Sequence, residues 1–171
     1  MSEVLGSELA SEPIAVPEEK TFSDIQIVLF ELADKKYGVD VSQVQGVVDI
    51  MKITSIPKAP YYMEGVTNLR GEVLPVVDLR KKLGLQARDA DAPFNMIIIN
   101  TKKKAIGFTV DQVNVVMDID AGDISVVPGI ANTGDNDAIF GVAKHKEYLI
   151  LLIDLLKITG TIDENILDGW E

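Results

Sequence analysis

Apolar residues gather in short runs along the chain, and two of these runs lead through a polar turn into another. QIVLFELADKKYGVDV predicts a hairpin with a strand over Ile25–Leu32, a turn over Ala33–Lys36 and a second strand from Tyr37. NMIIINTKKKAIGFTV predicts a second hairpin, with its turn over Thr101–Lys104. We expect short helices near Pro60–Gly65, Leu79–Leu83, Leu155–Ile158 and Glu164–Leu167. The pattern favours an all-β barrel or sandwich, mainly β with a few short helices.

The chain repeats one β-rich unit. YGVDVSQVQGVVDI at 37–50 aligns with IGFTVDQVNVVMDI at 106–119, at an offset of 69 residues. GVTNLRGEVLPVVDLRKKLG at 65–84 aligns with GVAKHKEYLILLIDLLKITG at 141–160, at an offset of 76 residues. Because both alignments run in the same order at similar offsets, they indicate an internal duplication.

The duplication predicts how the chain is organised. We expect one domain over 24–162, built from lobe one at about 25–88 and lobe two at about 94–160. The difference between the two offsets predicts a longer loop in lobe two, over 129–141. A chain of 171 residues is long enough for two small lobes that share a core.

The overall charge limits the classes of partner. The net charge is −11 and the isoelectric point is about 4.5, which argues against nucleic acid and against insertion into or docking on an anionic membrane. Residues 1–23 are acidic, and we expect them to form a mobile N-terminal tail, with a C-terminal tail over 163–171. We expect no secretion signal in the first twenty residues, and therefore a cytoplasmic protein.

The sequence holds little catalytic chemistry. There is no cysteine, and the one histidine, His145, lies between two lysines, where we expect it to be exposed. No phosphate-binding glycine loop is present, and no spacing of carboxylates suggests a metal site. We therefore expect no catalytic residues, no metal and no cofactor, and a protein that works by binding.

The repeat separates features of the fold from features of one lobe. Asp78 and Asp154 occupy matched positions between a strand and a short helix, where we expect each carboxylate to cap the helix. NLRG at 68–71 has no match in KHKE at 144–147, and its asparagine and glycine predict a tight turn. Arg70 in that turn is either a docking residue or a brace between the lobes.

At NLRG the chain resembles a known family. GVTNLRGEVLPVVDLR is similar to the signature of the CheW family of bacterial chemotaxis coupling proteins. The likeness continues through YGVDVSQVQGVV, IPKAP, IGFTVDQV and YLILLIDL, and covers about residues 24–160. It implies two SH3-like five-stranded β-barrel lobes packed on a shared core, and no catalysis.

The resemblance also implies partners. CheW-like proteins link the cytoplasmic tips of methyl-accepting chemotaxis receptors to the regulatory domain of the histidine kinase CheA, in arrays at the inner face of the membrane. We expect this chain to be a monomer alone and to join such arrays with its partners. The implied receptor-binding residues are Val44, Gly46, Gly65, Arg70 and Val73, and the implied turn residues are Asn68, Leu69 and Gly71.

Two positions depart from the family pattern. Gly46 stands where family members commonly carry glutamate, and Ser55 where they carry arginine, which suggests a less polar receptor groove.

Two alternative functions stay open. One alternative is a paralogous adaptor of a non-flagellar chemosensory array. The other is an enzyme or small-ligand-binding barrel that uses Asp40, Asp111 or Asp78.

Overall fold

The structure of the protein is a computed structural model that describes residues 23–49, 52–126, 138–160 and 162. The strands are β1 Ile25–Leu32, β2 Lys35–Asp40, β3 Val44–Val48, β4 Met63–Leu69, β5 Glu72–Asp78, β6 Asn95–Asn100, β7 Ala105–Val110, β8 Gln112–Ile119, β9 Ile124–Ser125, β10 Ile139–His145 and β11 Tyr148–Ile153. The helices are α1 Leu79–Lys82 and α2 Leu155–Thr159. Within these residues, no helix has the length and apolar character needed to cross a membrane.

Both predicted hairpins are confirmed, with a tighter first turn. β1 has the predicted bounds, but β2 already begins at Lys35, so the turn is reduced to Ala33 and Asp34. These two residues have φ angles of 51° and 69°. Positive φ at both central positions is typical of a type I′ turn, whose twist matches that of the flanking strands.

Two of the predicted helices are confirmed and one is wrong. α1 and α2 lie where the short helices near residues 79 and 155 were expected, and Asp78 and Asp154 cap them as predicted. The expected helix at Pro60–Gly65 is instead a turn followed by β4, because Met63 and the residues after it pair with β5 and bury alternate side chains. The expected helix at 164–167, both tails and most of the 129–141 loop lie outside the described residues.

The strands form two sheets, and each sheet draws on both halves of the sequence. One sheet has the order β8-β1-β2-β11-β10-β9, and the other has the order β3-β6-β7-β5-β4. Parallel pairing of β2 with β11 and of β5 with β7 joins the halves. The sheets therefore do not coincide with the continuous ranges 25–88 and 94–160, since each lobe takes its first hairpin from one half and the rest from the other.

The two edge strands of each sheet are neighbours along the chain, and the short connection between them brings the edges together, so that the sheet closes on itself. β8 ends one edge of the six-stranded sheet, and the chain then passes through a short 3-10 turn into β9 at the other edge. In the five-stranded sheet, β3 leads to Thr54, which exchanges two backbone hydrogen bonds with Val66 of β4. This single bridge is the counterpart of β9, which explains why one lobe has six strands rather than the predicted five.

Three hydrophobic clusters fill the fold. One lies inside the curl of each sheet, and equivalent residues of the repeat line the two: Ile27 and Met96, Leu29 and Ile98, Leu74 and Ile150, Val76 and Leu152. The third and largest cluster includes buried residues of both sheets, such as Phe30 and Phe108, and is the shared core between the lobes. The mainly β, two-lobed architecture predicted from the sequence is therefore confirmed.

The lobes are tied together by an ion pair. Arg80 of α1 donates to both carboxylate oxygens of Asp111, over 2.8 and 2.6 Å. Asp111 also accepts a hydrogen bond from the backbone N–H of Ala33, in the β1–β2 turn of the other sheet. Burial raises the pKa of Asp111, but the Arg80 guanidinium and the Ala33 N–H outweigh it, so the pKa lies below its ordinary value.

The ion pair predicts a pH-dependent contribution to stability. Asp111→Asn should lower the free energy of unfolding by about 2 kcal/mol near neutral pH, because it removes a charge-assisted, partly buried pair. Since the folded-state pKa is lowered, this contribution is present above the ordinary pKa and is lost as the pH falls through the folded-state pKa. Urea unfolding of both proteins over a pH series measures the difference. Asp118→Asn, at an exposed position of β8, is the control, and a pH-independent difference for Asp111→Asn would contradict the account.

Candidate functional site

The NLRG turn is a type I′ turn that displays an arginine. Arg70 and Gly71 have φ angles of 54° and 87°, and Leu69 lies opposite Glu72 in the flanking strands. The side-chain oxygen of Asn68 accepts the backbone N–H of Gly71 at 2.9 Å, which closes the turn as predicted. Together with Val73, these residues are called the Arg70 turn below.

Arg70 is not a brace between the lobes. Its side chain is exposed, and it forms no ion pair with any residue in the described part of the chain. The brace that the sequence suggested exists, but it is built by Arg80 with Asp111. A guanidinium held on a rigid turn keeps its five donors available for a carboxylate or for backbone carbonyls of another molecule.

An exposed apolar residue follows the turn on β5, opposite Asn68. Val73 begins the apolar run of β5 and is 43% exposed, whereas Leu69 packs its side chain against the core of the five-stranded sheet. A fixed charge beside an exposed apolar side chain is the composition of a small recognition surface, where the apolar residue contributes affinity and the charge fixes register.

The second lobe carries a chemically different copy of this turn. Lys146 is the repeat equivalent of Arg70, with the same φ of 54°, and Leu149 is the equivalent of Val73, at 61% exposed. Glu147 replaces Gly71, so a carboxylate stands beside the cation. The two turns share their place in the repeat and the positive φ of the first turn residue, but they differ at the second turn residue and in charge pattern. Lys146 is therefore a control for Arg70 at the equivalent position.

Two of the predicted site residues lie on a different strand. Val44 is half-buried and packs against the shared core, and Gly46 follows it across a bulge in the pairing of β3 with β6. β6 and β7 separate β3 from β5 in the sheet order, so strand pairing does not bring Val44 and Gly46 beside the Arg70 turn. A Cβ added at Gly46 would meet no atom within 4 Å, which leaves room for a larger residue.

Gly65 is buried in β4, where it lets another part of the backbone lie close to the strand. Its φ is +147°, a conformation that is rare for residues with a side chain. A Cβ at this position would overlap the backbone carbonyl of Thr54, which crosses β4 at the bridge described above. Gly65 therefore allows the 52–54 segment to lie directly on β4 and close the curl of the sheet.

Gln43 anchors the start of β3 to α2. Its side-chain amide donates to the carboxylate of Asp154 at 2.9 Å, and its side-chain oxygen accepts the N–H groups of Leu155 and Leu156 at 3.0 and 3.3 Å. Because Leu155 and Leu156 lie in the first turn of α2, where backbone donors have no partner in the helix, Gln43 acts as a second cap. It thereby fixes the position of Val44, the next residue along the chain.

We expect Gln43→Ala to lower the free energy of unfolding by about 2 kcal/mol, because it leaves helix N–H groups without their acceptor. Gln112→Ala is the matched control, since Gln112 is the repeat equivalent and is exposed on β8. Urea unfolding followed by circular dichroism measures both. Equal stabilities for the two variants would show that the contacts of Gln43 contribute nothing net.

The carboxylates proposed for an enzyme or ligand-binding barrel have structural partners. Asp40 accepts the N–H of Ser42, and Asp78 accepts the N–H of Lys81 at the start of α1. Asp111 is engaged by Arg80, as described above. In the described ranges, no group of three or more histidine, aspartate or glutamate side chains is arranged to hold a metal ion. Each of the three carboxylates therefore has a structural partner in the described part of the chain.

A polar cavity of about 360 Å³ adjoins Asp78. Arg88 pairs there with Glu64 at 2.9 Å and lies 3.8 Å from Asp78, and Thr109 donates to Glu64 at 2.8 Å. Burial raises the pKa of Asp78 above its ordinary value, and the charge of Glu64 adds to the effect. Arg88 thus faces two carboxylates, and Lys81 and Asp89 also line the cavity, so its lining holds three acidic and two basic side chains.

The sequence reading missed other exposed apolar positions. Val47 on β3 is 41% exposed, and its repeat equivalent Val116 on β8 is 54% exposed, as is the neighbouring Val115. The valine recurs in both copies of the repeat, which marks the position as a shared feature but does not say whether its side chain is exposed. Strand alternation alone does not say which face of an edge strand turns outward, so the exposure was not predictable from this signal.

Comparisons with known proteins give one consistent family. A model of the CheW-like domain matches residues 26–162. The chemotaxis protein CheW of Thermotoga maritima is 32% identical over 147 residues, which cover 84% of this chain and 95% of that protein. The chemotaxis protein CheW of Klebsiella aerogenes is 29% identical over 144 residues, which cover 84% of this chain and 87% of that protein.

A solved structure extends the likeness to three dimensions. The crystal structure of the scaffolding protein TtCheW from Thermoanaerobacter tengcongensis matches with a TM-score of 0.70 at 36% sequence identity. The match covers 78% of this chain and 91% of that chain. The predicted fold class, with two SH3-like lobes, is confirmed by this likeness.

Proposed function

The chain belongs to the CheW-like domain family, and from that membership we propose that it is a non-catalytic scaffold of chemotaxis signalling. It couples methyl-accepting chemoreceptors to the histidine kinase CheA, so that the state of the receptor controls autophosphorylation of the kinase. The observation that carries this proposal is the Arg70 turn, where an exposed guanidinium with no ion pair to any described residue is followed on β5 by an exposed valine.

The receptor is recognised by Arg70 and Val73 at the surface. Val44 and Gly46 form the second part of the contact on β3, while Gly65 holds β4 in place beneath it. This division suits the docking of a helical hairpin tip, where apolar walls supply affinity and a few polar groups fix register. In the cell, the protein is cytoplasmic, is a monomer when alone, and joins receptor arrays at the inner face of the membrane.

The glycine at 46 makes this receptor contact less polar than is common in the family. A Cβ added at Gly46 would meet no atom within 4 Å, so the fold does not require glycine there for lack of space at the Cβ. Ser55, at the second departing position, is exposed. Gly46→Glu combined with Ser55→Arg should change the affinity for the receptor, and an unchanged affinity would show that the departures have no role in partner choice.

A binding experiment tests the proposal. The full chain is mixed with CheA and with cytoplasmic receptor fragments from the same cell, singly and together, and co-sedimentation is scored. Binding to each partner and a ternary assembly are the expected results. If the folded protein binds neither partner, the coupling role is wrong, and an adaptor role in another chemosensory array becomes the better assignment.

A further inference from the structure

A second cavity is lined by residues that are far in sequence from the Arg70 turn. It has a volume of about 580 Å³ and is bounded by the β6–β7 turn on one side and the end of α2 on the other. Thr101 and Lys102 line the turn side, and Leu156, Thr159 and Ile162 line the helix side. Its volume falls in the range of about 300–1,000 Å³ that suits a bound organic group. We call it the α2 groove.

The groove combines an apolar floor with a basic rim. Leu156 is 40% exposed although it lies on a helix whose neighbours Leu155 and Ile158 are buried. Lys102 and Lys103 of the β6–β7 turn line the other side of the groove, in a chain whose net charge is −11. An occupant that matches this surface carries apolar side chains and negative charge.

The chain itself supplies such an occupant next to the groove. Ile162, the last described residue, is 3% exposed and lines the groove. The sequence that follows, DENILDGWE at 163–171, holds four acids, no base, and the apolar side chains Ile166, Leu167 and Trp170. An extended chain covers about 3.3 Å per residue, so this segment is long enough to reach every part of the groove.

We propose that residues 163–171 dock in the α2 groove of the same molecule. The apolar side chains cover Leu156, and the acidic side chains face the lysine turn. Tethering at Ile162 favours this arrangement over a second copy or a separate partner, because the local concentration of the segment is in the millimolar range for short linkers. The charged part of the contact is screened by salt, while the apolar part is not. The proposal is independent of the coupling role.

Trp170 provides a direct probe, because it is the only tryptophan of the chain. In the full chain, we expect its fluorescence to be shifted to the blue and protected from acrylamide, at every protein concentration. Leu156→Glu should shift the emission to the red and raise the quenching constant several-fold. Leu149→Glu is the control, since it adds the same charge at a leucine of β11 that is 61% exposed, and it should change neither quantity.

Each other outcome overturns the proposal. Water-like emission from the unaltered chain, or protected emission that Leu156→Glu does not change, would place Trp170 elsewhere. Protection that appears only as the protein concentration rises would assign the groove to a second copy. If Leu156→Glu fails to fold by circular dichroism, Lys102→Glu takes its place, because this exposed turn position is expected to raise quenching at low salt without affecting the core.

Discussion

Arg70→Glu is expected to weaken binding to the receptor fragment by about tenfold or more and to leave the melting temperature unchanged. Losing a charged hydrogen-bond donor at an interface costs about 1.5–3 kcal/mol, and each 1.4 kcal/mol is a factor of ten in affinity. Stability should not change, because Arg70 is exposed and has no ion pair with any described residue. Calorimetric titration and a thermal melt measure the two quantities.

The repeat offers a matched control for this prediction. Lys146→Glu makes the same change in net charge, at the same φ of 54°, in the equivalent turn of the other lobe. It should bind the receptor fragment like the unaltered chain. Equal weakening by both variants would indicate a general charge effect. A lower melting temperature for Arg70→Glu would return a structural role to Arg70.

Gly65→Ala is expected to have the largest effect on stability, lowering the free energy of unfolding by about 3 kcal/mol or more. A side chain at a φ of +147° strains the backbone by about 1–3 kcal/mol, and overlap with the Thr54 carbonyl forces β4 and the 52–54 segment apart. Urea unfolding gives the difference in stability. If the variant does not fold, loss of dispersed amide signals in a proton spectrum reports the same result.

Two other glycines separate strain from a general effect of alanine. Gly46→Ala introduces a Cβ into open space, and Gly141→Ala, at the repeat equivalent of Gly65, brings its Cβ to 3.2 Å from the nearest atoms without a positive φ. The expected order of destabilisation is Gly65 first, Gly141 second and Gly46 last. A loss for Gly65→Ala no larger than that for Gly46→Ala would contradict the proposed closure of the sheet.

Most of the local structure could be predicted from the sequence. Alternating apolar runs located both hairpins, and matched aspartates before short helical turns identified the caps at Asp78 and Asp154. Asn68 and Gly71 predicted the tight turn, since one supplies a side-chain acceptor and the other tolerates positive φ. These features depend on neighbouring residues, so a single sequence carries them.

The arrangement of the lobes could not be read in the same way. Aligning the repeats shows that β2 is equivalent to β7, but not that each pairs with a strand of the other half, as β2 does with β11. The choice between Arg70 and Arg80 as the brace has the same cause. Both are arginines near β5, and only the folded chain brings Asp111 to one of them.

Steric requirements at the site could not be predicted from the sequence either. The resemblance implies that Gly65 contacts the receptor, and the structure adds a steric requirement, because this buried glycine has a positive φ where Thr54 passes over β4. That passage depends on the bridge between Thr54 and Val66, and no residue type in either segment predicts this pairing. The outward exposure of Val47 and Val116 could not be predicted either, because the sequence does not show that β3 and β8 are edge strands or which face of each turns outward.

The autophosphorylation rate of CheA is the measurement that tests the coupling role most directly. It is recorded for the kinase alone, with receptor fragments, with this protein, and with both. A coupling role predicts that the rate changes only when all three components are present, and that Lys146→Glu supports the change whereas Arg70→Glu does not. A rate that is the same with and without this protein in the assembled mixture, or a change that needs no receptor, would contradict the account.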